Sequence, residues 1–327
     1  MPIEFFEPTI EHIQKARMMI RQSLIQTPVL KLDHPEFVRH LGRQAWMKLE
    51  LFQQSGCFKA RGTFLAIQSL NQVERDAGVV AFSAGNHAIA TAWAARAANV
   101  DAKVCLPKTA DPFRVNLCKS LGASVVPCED IQDAFDQLER IQREEGRTLL
   151  HPFESPYMTL GAATCAAEYL EAVPDLEVAV VPVGGGGFIS GMAAELKLFK
   201  PSIKVYGVEP KGAIGVTLGL EKGSPQSVPV NTIADSLGAP MSAPFSLGLI
   251  RRYVDQVVIV DDDALRQGMV MLAEKLNILS EPACAASLVG AIGPLADETK
   301  SRNLGLIACG SNISVERWQS LVSKEQT

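Results

Sequence analysis

"VAVVPVGGGGFISGMAAELKLF", residues 178–199, joins an apolar, β-branched run to four consecutive glycines and then to a stretch with helical spacing. It reads as a strand, a tight loop and a helix. Gly184, Gly185, Gly186 and Gly187 leave their backbone N–H groups unscreened by side chains, and the helix that follows presents its positive end to the loop. Together they suit an anion, a phosphate above all. A merely flexible connection is the weaker reading, because four glycines give up more conformational freedom on folding than an ordinary turn requires.

The same order recurs along the chain. "GVVAF" runs into "SAGNHAIATAWAARA", "AKVCLP" into "DPFRVNLCKSLGA", and "QVVIV" into "DDDALRQGMVMLAEKLN". Strands that alternate with amphipathic helices make an α/β protein with mostly parallel sheets. Asp111, followed by Pro112, and the aspartates of "DDDAL" are helix-start signals, since a carboxylate there accepts the first free helical N–H groups. The helices thus begin at the carboxyl ends of strands, where open α/β sheets hold their ligands. The stretch "EKGSPQSVPVNT", 221–232, reads as a surface loop, and no repeat or low-complexity tract interrupts the pattern.

Composition narrows the function classes. The 327 residues are 47% hydrophobic, enough for two lobes without staples, and the net charge of −5 has no basic run behind it. That excludes an electrostatic footprint for nucleic acid or an anionic membrane and leaves small-molecule chemistry. The start, "MPIEFFEPTIEHIQ", is acidic and lacks a secretory signal's basic start and apolar run. The longest uncharged stretch holds a proline and several glycines, so no membrane span is expected. Seven cysteines, an odd number with no C-x-x-C pair, point to a reducing, cytoplasmic setting.

Three further stretches carry candidate chemistry. "FSAGNHA", 82–88, follows an apolar strand and offers Ser83, Asn86 and backbone N–H groups to an anion such as a carboxylate; plain N-capping by Ser83 or Asn86 is the alternative, and His87 is either part of that loop or a packing residue. In "LGLIACGSN", 304–312, Cys309 stands at a strand end as a weak S–H donor or as an inert buried thiol. In "SGCFKARG", 55–62, Lys59 is either a helix-surface lysine or, beside a phosphate loop, the amine that forms a Schiff base with a carbonyl cofactor. A dinucleotide site at the four glycines competes, because "KVYGVEP" adds a second strand ending in Glu209. The G-x-G-x-x-G spacing fails, however, with Ser190 where the third glycine belongs, and no G-x-x-x-x-G-K-[ST] sequence exists.

Taken in order, "SGCFKARG", "SAGNHA", "VGGGGFISG", "GVEP", "TIADS", "EPACAAS" and "CGSN" resemble the serine/threonine dehydratase family of pyridoxal-phosphate enzymes, fold type II, to which serine racemases are related. The resemblance runs over nearly the whole chain. It implies a larger lobe from residues 1–70 and 160–327 and a smaller, mobile one from 75–158. It implies that Lys59 holds pyridoxal 5'-phosphate as a Schiff base with Phe58 packed nearby, that Gly184 to Gly187 cradle the phosphate, that Asn86 bonds the ring hydroxyl and that Cys309 faces the pyridine nitrogen. Ser83, Ala84, Gly85, Asn86 and His87 form the loop for the substrate carboxylate. The implied reaction is elimination of water from a 3-hydroxy-L-amino acid, giving a 2-oxo acid and ammonia, with a small-molecule amino acid as substrate, no nucleic-acid or membrane partner, and a homodimer as the assembly.

Departures from the family pattern sharpen the expectation. Racemases of this kind carry a serine where this chain has Ala84, which cannot deliver a proton, so dehydration with little racemisation is expected. The divalent-metal site of some relatives would use Glu209, the Ala213 carbonyl and an acid where Gly215 stands, so no metal is expected. Cys57 replaces a common serine, a change expected to affect packing. "ADSLGAPMSAPFS", 234–246, departs from the commoner glycine-rich version and opens the substrate beyond serine and threonine to hydroxyaspartate or a bulkier phenylserine. A β-replacement synthase, a racemase and a non-catalytic cofactor carrier are the alternatives.

Overall fold

The computed structural model describes residues 6–323; the first residues of the acidic start lie outside them. Among the described residues ten strands build two sheets. In chain order they are β1 (Val29–Lys31), β2 (Ala45–Leu49), β3 (Val79–Phe82), β4 (Ala102–Pro107), β5 (Ser124–Cys128), β6 (Thr148–Leu149), β7 (Val178–Pro182), β8 (Lys204–Pro210), β9 (Gln256–Val260) and β10 (Leu304–Ala308). The larger sheet has the order β1-β2-β10-β7-β8-β9 and the smaller β5-β4-β3-β6. Every pairing is parallel except β1 with β2. The two sheets with their flanking helices are the mostly parallel α/β architecture expected from the alternating pattern.

The interior strands explain themselves. β7 (VAVVP) and β10 (LGLIA) are buried at every position, as a parallel strand covered by helices on both faces must be, whereas the edge strands β5 and β9 mix exposed with buried residues. β10 lies between β2 and β7, so the chain leaving these three neighbouring strands arrives at one place. After β2 come two short turns and the helix Lys59–Gln68, after β7 the four glycines, and after β10 Cys309. The approach to Lys59 is stitched to the exit of β10, where Cys57 pairs with Gly310 and the Phe58 amide donates to the Cys309 carbonyl at 3.2 Å.

Three helices then meet at glycines. A Cβ on Gly62 would come 2.6 Å from the Met158 backbone, one on Gly161 2.3 Å from the Gly62 amide, and one on Gly191 2.0 Å from the Thr159 carbonyl. The helix Pro156–Ala172 is therefore wedged between the Lys59 helix and the helix Gly187–Phe199 at backbone-to-backbone distance. Lysine and glycine loop are fixed through a shared neighbour.

A buried ion cluster locks the same junction. Arg61, wholly buried, donates from Nε and Nη2 to the two Glu50 oxygens, both at 2.8 Å, and from Nη1 and Nη2 to Glu168 at 2.8 and 2.7 Å. Lys48 Nζ completes it on Glu168 at 2.6 Å. Two cations face two carboxylates with every member hydrogen-bonded, the condition under which buried charges are tolerated.

Candidate active site

Lys59 is the first residue of its helix, and its part-buried amine has the Pro152 carbonyl as its acceptor. Burial lowers its pKa to about 8, with the neighbouring Cys57 and Cys309 pulling the other way. The solvated helix-face reading of this lysine is thereby excluded. Phe58 stacks on Phe188, ring centroids 4.0 Å apart, at the start of the helix that follows the glycine loop.

The glycine loop is a cradle of unsatisfied donors. Among the described residues no backbone N–H of Gly184 to Gly187 finds a protein acceptor, and the helix Gly187–Phe199 has no side-chain cap. Gly186 has φ of +91°, and a Cβ on Gly185 or Gly187 would strike Phe153 at 2.4 or 2.8 Å. Phe153 follows Pro152, so one short segment touches both the lysine and the loop. Unblocked amides at a helix start, in a place no side chain can enter, fit a phosphate monoester.

The "SAGNHA" loop has the same character. Its helix, Asn86–Ala98, starts from Gly85 without a side-chain cap; Ser83 Oγ instead accepts from the Gly85 amide at 3.1 Å. The amides of Asn86 and His87 donate to no acceptor among the described residues, and neither Ser83 nor Asn86 caps the helix. Ala84 is exposed there. The His87 imidazole is turned away: Nε2 meets the Leu150 carbonyl at 2.8 Å, and burial holds the ring neutral with a pKa of about 3. A carbonyl partner makes Nε2–H the donor and Nδ1, which has no partner, an acceptor. Only the backbone of His87 can serve a carboxylate.

Asn86 is oriented by a cluster that motif reading left without roles. Asn312 Nδ2 donates to the Ser55 carbonyl at 2.8 Å and to Asn86 Oδ1 at 2.7 Å, so Asn86 Nδ2 is the donor end and binds both oxygens of Glu281 at 2.9 and 3.0 Å. Glu281, wholly buried, also accepts from the Asn312 amide at 2.8 Å. Arg114, on the helix Pro112–Ser120 beside the smaller sheet, reaches across to the larger one. Its Nε donates to the Asn312 carbonyl at 2.9 Å, Nη1 and Nη2 to Asp235 at 2.7 and 3.1 Å, and Nη2 to Glu281 at 3.4 Å. A charged residue opening the apolar run "EPACAASLVG" was the available signal for Glu281. Arg114 had none, since an arginine on an amphipathic helix ordinarily faces water.

Cys309 is buried, with Cys284 Sγ 4.0 Å from its own. Its hydrogen bond with Cys284, and then burial, push the thiol well above its usual range, so it remains protonated and neutral. Lysine, cradle and thiol converge at the ends of three adjacent strands of the larger sheet, and the amide donor Asn86 reaches them from the end of β3 in the smaller one.

A family model described as "Pyridoxal-phosphate dependent enzyme" matches residues 20–310. The chain belongs to that family. It is 42% identical over 306 residues, 93% of each chain, to a phenylserine dehydratase of Ralstonia pickettii, and 32% identical to an L-threo-3-hydroxyaspartate ammonia-lyase of Saccharomyces cerevisiae over 98% of both. Among solved structures, maize serine racemase superposes with a TM-score of 0.91 at 33% identity, covering 97% of each chain. Pyridoxal phosphate is thus the cofactor, and the residues gathered at the strand ends fit it: an amine for its aldehyde, free amides for its phosphate, a side-chain donor and a neutral thiol for its ring.

Glu209, near the end of β8, is held by the helix that follows. Its carboxylate accepts from the Val216 and Thr217 amides, both at 2.8 Å, and from the Thr217 hydroxyl at 2.6 Å, capping the helix Gly215–Lys222. No cluster of three His, Cys, Asp or Glu suited to a metal occurs among the described residues, and no helix there is long and apolar enough to cross a membrane.

Proposed function

We propose that this enzyme dehydrates a 3-hydroxy-L-amino acid to the 2-oxo acid and ammonia, with an aryl substrate of the phenylserine class preferred. The observation that carries the reaction is the Lys59 amine, part-buried and brought to a pKa of about 8 at the ends of the same strands that present the glycine cradle and a neutral thiol. Lys59 Nζ is the covalent attachment point, Gly184 to Gly187 hold the phosphate through their amides, Asn86 Nδ2 donates to the ring hydroxyl, and Phe58 packs beside the ring. Bound there, pyridoxal phosphate supplies an electron sink that acidifies the substrate's α-hydrogen. The loop Ser83 to His87 receives the α-carboxylate through its free amides, those of Ala84, Asn86 and His87, and Lys59, neutral in an increasing fraction as pH approaches 8, takes the α-proton. A neutral Cys309 thiol beside the ring would support less positive charge there than a carboxylate, which favours early loss of the β-hydroxyl, and the hydroxyl would leave as water with the proton that Lys59 took. One water leaves and one is consumed, so phenylserine becomes phenylpyruvate and ammonia.

Ala84 argues against racemisation, because a methyl group has no proton to deliver to the α-carbon. The aryl preference rests on the phenylserine dehydratase relative. A cytoplasmic setting is supported by seven cysteines, all buried and unpaired. A homodimer rests on the family, and so does a closing motion of residues 75–158 over 1–70 and 160–327.

The test is a panel of serine, threonine, 3-hydroxyaspartate and phenylserine with 2-oxo acid measured throughout and both enantiomers of serine followed. Phenylserine is expected to exceed serine and threonine in kcat/KM by about tenfold or more, in line with what an apolar pocket contributes per added apolar group. Sustained formation of D-serine from L-serine, or no 2-oxo acid from any member, overturns the reading.

A further inference from the structure

We infer that Phe82 and Phe135, beside the carboxylate loop on the smaller sheet, are the surface on which the substrate's aryl group packs, and that Phe135 sets the preference for an aryl substituent over a small one. The inference rests on the dehydratase reading above and names the residues that recognise that substrate class.

Three sides of the carboxylate loop are closed by contacts that bridge the two sheets. Inward, Asn86 is tied to Asn312 and to Glu281. On one flank Arg114 lies 3.2 Å from where a Gly85 Cβ would stand, and it is bonded across to Asn312 and Asp235. On the other flank His87 is held on the Leu150 carbonyl, and the residues just beyond supply Pro152, the acceptor for Lys59, and Phe153, packed against the cradle. The outward side is left, where Ala84 is exposed. A substrate with its carboxylate on the amides of residues 84, 86 and 87 and its α-carbon at Lys59 Nζ therefore carries its β-substituent outward.

Phe82 is the last residue of β3 and directly precedes that loop. Side chains alternate along the strand: Val79 and Ala81 pack with the helix Asn86–Ala98, whereas Val80 and Phe82 pack with the helix Ile131–Glu145. The loop turns toward the first helix, so the Phe82 ring stands on the opposite face, partly exposed, where Phe135 meets it with ring centroids 6.2 Å apart and a tilt of 46°. Phe135 is 51% exposed, and Ile131, one turn before it, 48%. Every other exposed residue of that helix is polar or charged, and these two sit in its first two turns, the end nearest the carboxyl ends of the strands. A single exposed ring is ordinary, but two rings and an isoleucine gathered at the mouth of a ligand site mark a contact surface. The ring of phenylserine begins three bonds, at most about 4 Å, from the carboxylate carbon, so a substrate seated on the loop brings it against the side chain just before the loop. Tilted packing of aromatic rings adds to the burial of their faces, a gain that the small β-substituents of serine and threonine cannot make.

Phe135→Ala tests the surface without disturbing the core behind it, since the buried residues of that helix are Ala134, Leu138 and Ile141. Two measurements on the holoenzyme read the effect. The first is the ratio of kcat/KM for phenylserine to that for threonine, with kcat and KM resolved. The second is the ratio of dissociation constants for L-phenylalanine and L-alanine, which lack the hydroxyl and report binding through the cofactor's visible band. The wild type is expected to favour the aryl member of each pair. Phe135→Ala is expected to lower both preferences about tenfold, for phenylserine through KM more than kcat, because the contact is made in ground and transition states alike. Phe135→Tyr, which keeps the ring, is expected to hold both ratios within about twofold of the wild type. Phe199→Ala, at an exposed ring on the helix after the cradle, is expected to leave them unchanged. Ratios unmoved by Phe135→Ala, or moved as far by Phe199→Ala, overturn the inference. So does a change of oligomeric state in Phe135→Ala with both ratios unmoved, which would make the patch a contact between copies of the chain. If the binding ratio falls while phenylserine is not dehydrated, the aryl contact stands and the reaction assignment falls.

Discussion

At the scale of single residues, the lysine decides the chemistry and its surroundings decide its timing. Burial favours the uncharged amine, and the two thiols beside it only partly oppose this, so half of the Lys59 population is neutral at a pH of about 8. Only the neutral amine attacks an aldehyde. The rate at which cofactor-free protein takes up pyridoxal phosphate should therefore climb about tenfold per pH unit below 8 and level off above it, since the neutral fraction follows the titration of one group. Stopped-flow absorbance on the apo-protein measures this. A plateau delayed to pH 10 would mean that the amine is solvated. Lys59 could be read from the sequence because "SGCFKARG" is surrounded by small residues and a glycine cradle lies elsewhere in the chain. The orientation of Asn86 and the turning away of His87 could not, because both depend on Asn312, Glu281 and Leu150, partners distant in the chain whose side chains carry no motif of their own.

At the scale of elements, the strands declared themselves and the helix crossings did not. β7 and β10 read as unbroken apolar runs because they are covered on both faces, and the helices at Asp111 and Asp261 start where their carboxylates accept the Phe113 and Ala264 amides, both at 2.8 Å. Gly62 and Gly191 looked like ordinary helix residues, yet each marks a contact that only a missing side chain permits. Gly62→Ala places a methyl group 2.6 Å from the Met158 backbone, with no flexible side chain able to yield all the room. Overpacking of this kind costs about 1–3 kcal/mol, and here it also pushes Lys59 away from the cradle. The variant should melt several degrees lower and bind pyridoxal phosphate more weakly, whereas Gly122→Ala, at a position with nothing within 4 Å but a φ of +92°, should lose stability without losing cofactor. Equal cofactor affinity in both variants would separate the crossing from the site. The Gly215–Lys222 helix supports a second expectation at this scale. Because Thr217 and two amides already occupy the Glu209 carboxylate, chelators and added magnesium should leave melting temperature and activity unchanged. A melting temperature that rises with divalent cation would show that the cap can be displaced.

At the scale of the molecule, the cluster of Lys48, Glu50, Arg61 and Glu168 ties the strand before the active lysine, the lysine helix and the long central helix into one unit, and it sets how the protein responds to acid. Arg61, one residue from Ala60 and two from Lys59, was legible only as support for its helix, since nothing in the sequence shows that Glu50 and Glu168 converge on it. Burial alone would raise the Glu50 pKa, but the charge and hydrogen bonds of Arg61, helped by Lys48, outweigh it and hold the carboxyl below its ordinary value of 4.5. The sign of the pH dependence follows. A carboxylate whose folded pKa is depressed binds fewer protons in the folded chain than in the unfolded one, so its stabilising contribution is fully present above about 4.5 and is lost as pH falls through the folded pKa. Glu50→Gln removes the charge at every pH and leaves Arg61 short of a counter-ion, a loss of about 3–5 kcal/mol for a broken buried pair. The variant should therefore melt well below the wild type at pH 7. The gap should narrow as pH drops below 4.5, because the wild type then surrenders the same interaction by protonation. Thermal melts at half-unit steps from pH 7 to pH 3 measure the gap. A gap that stays constant over that range would assign acid lability to other carboxylates and leave the cluster a matter of packing.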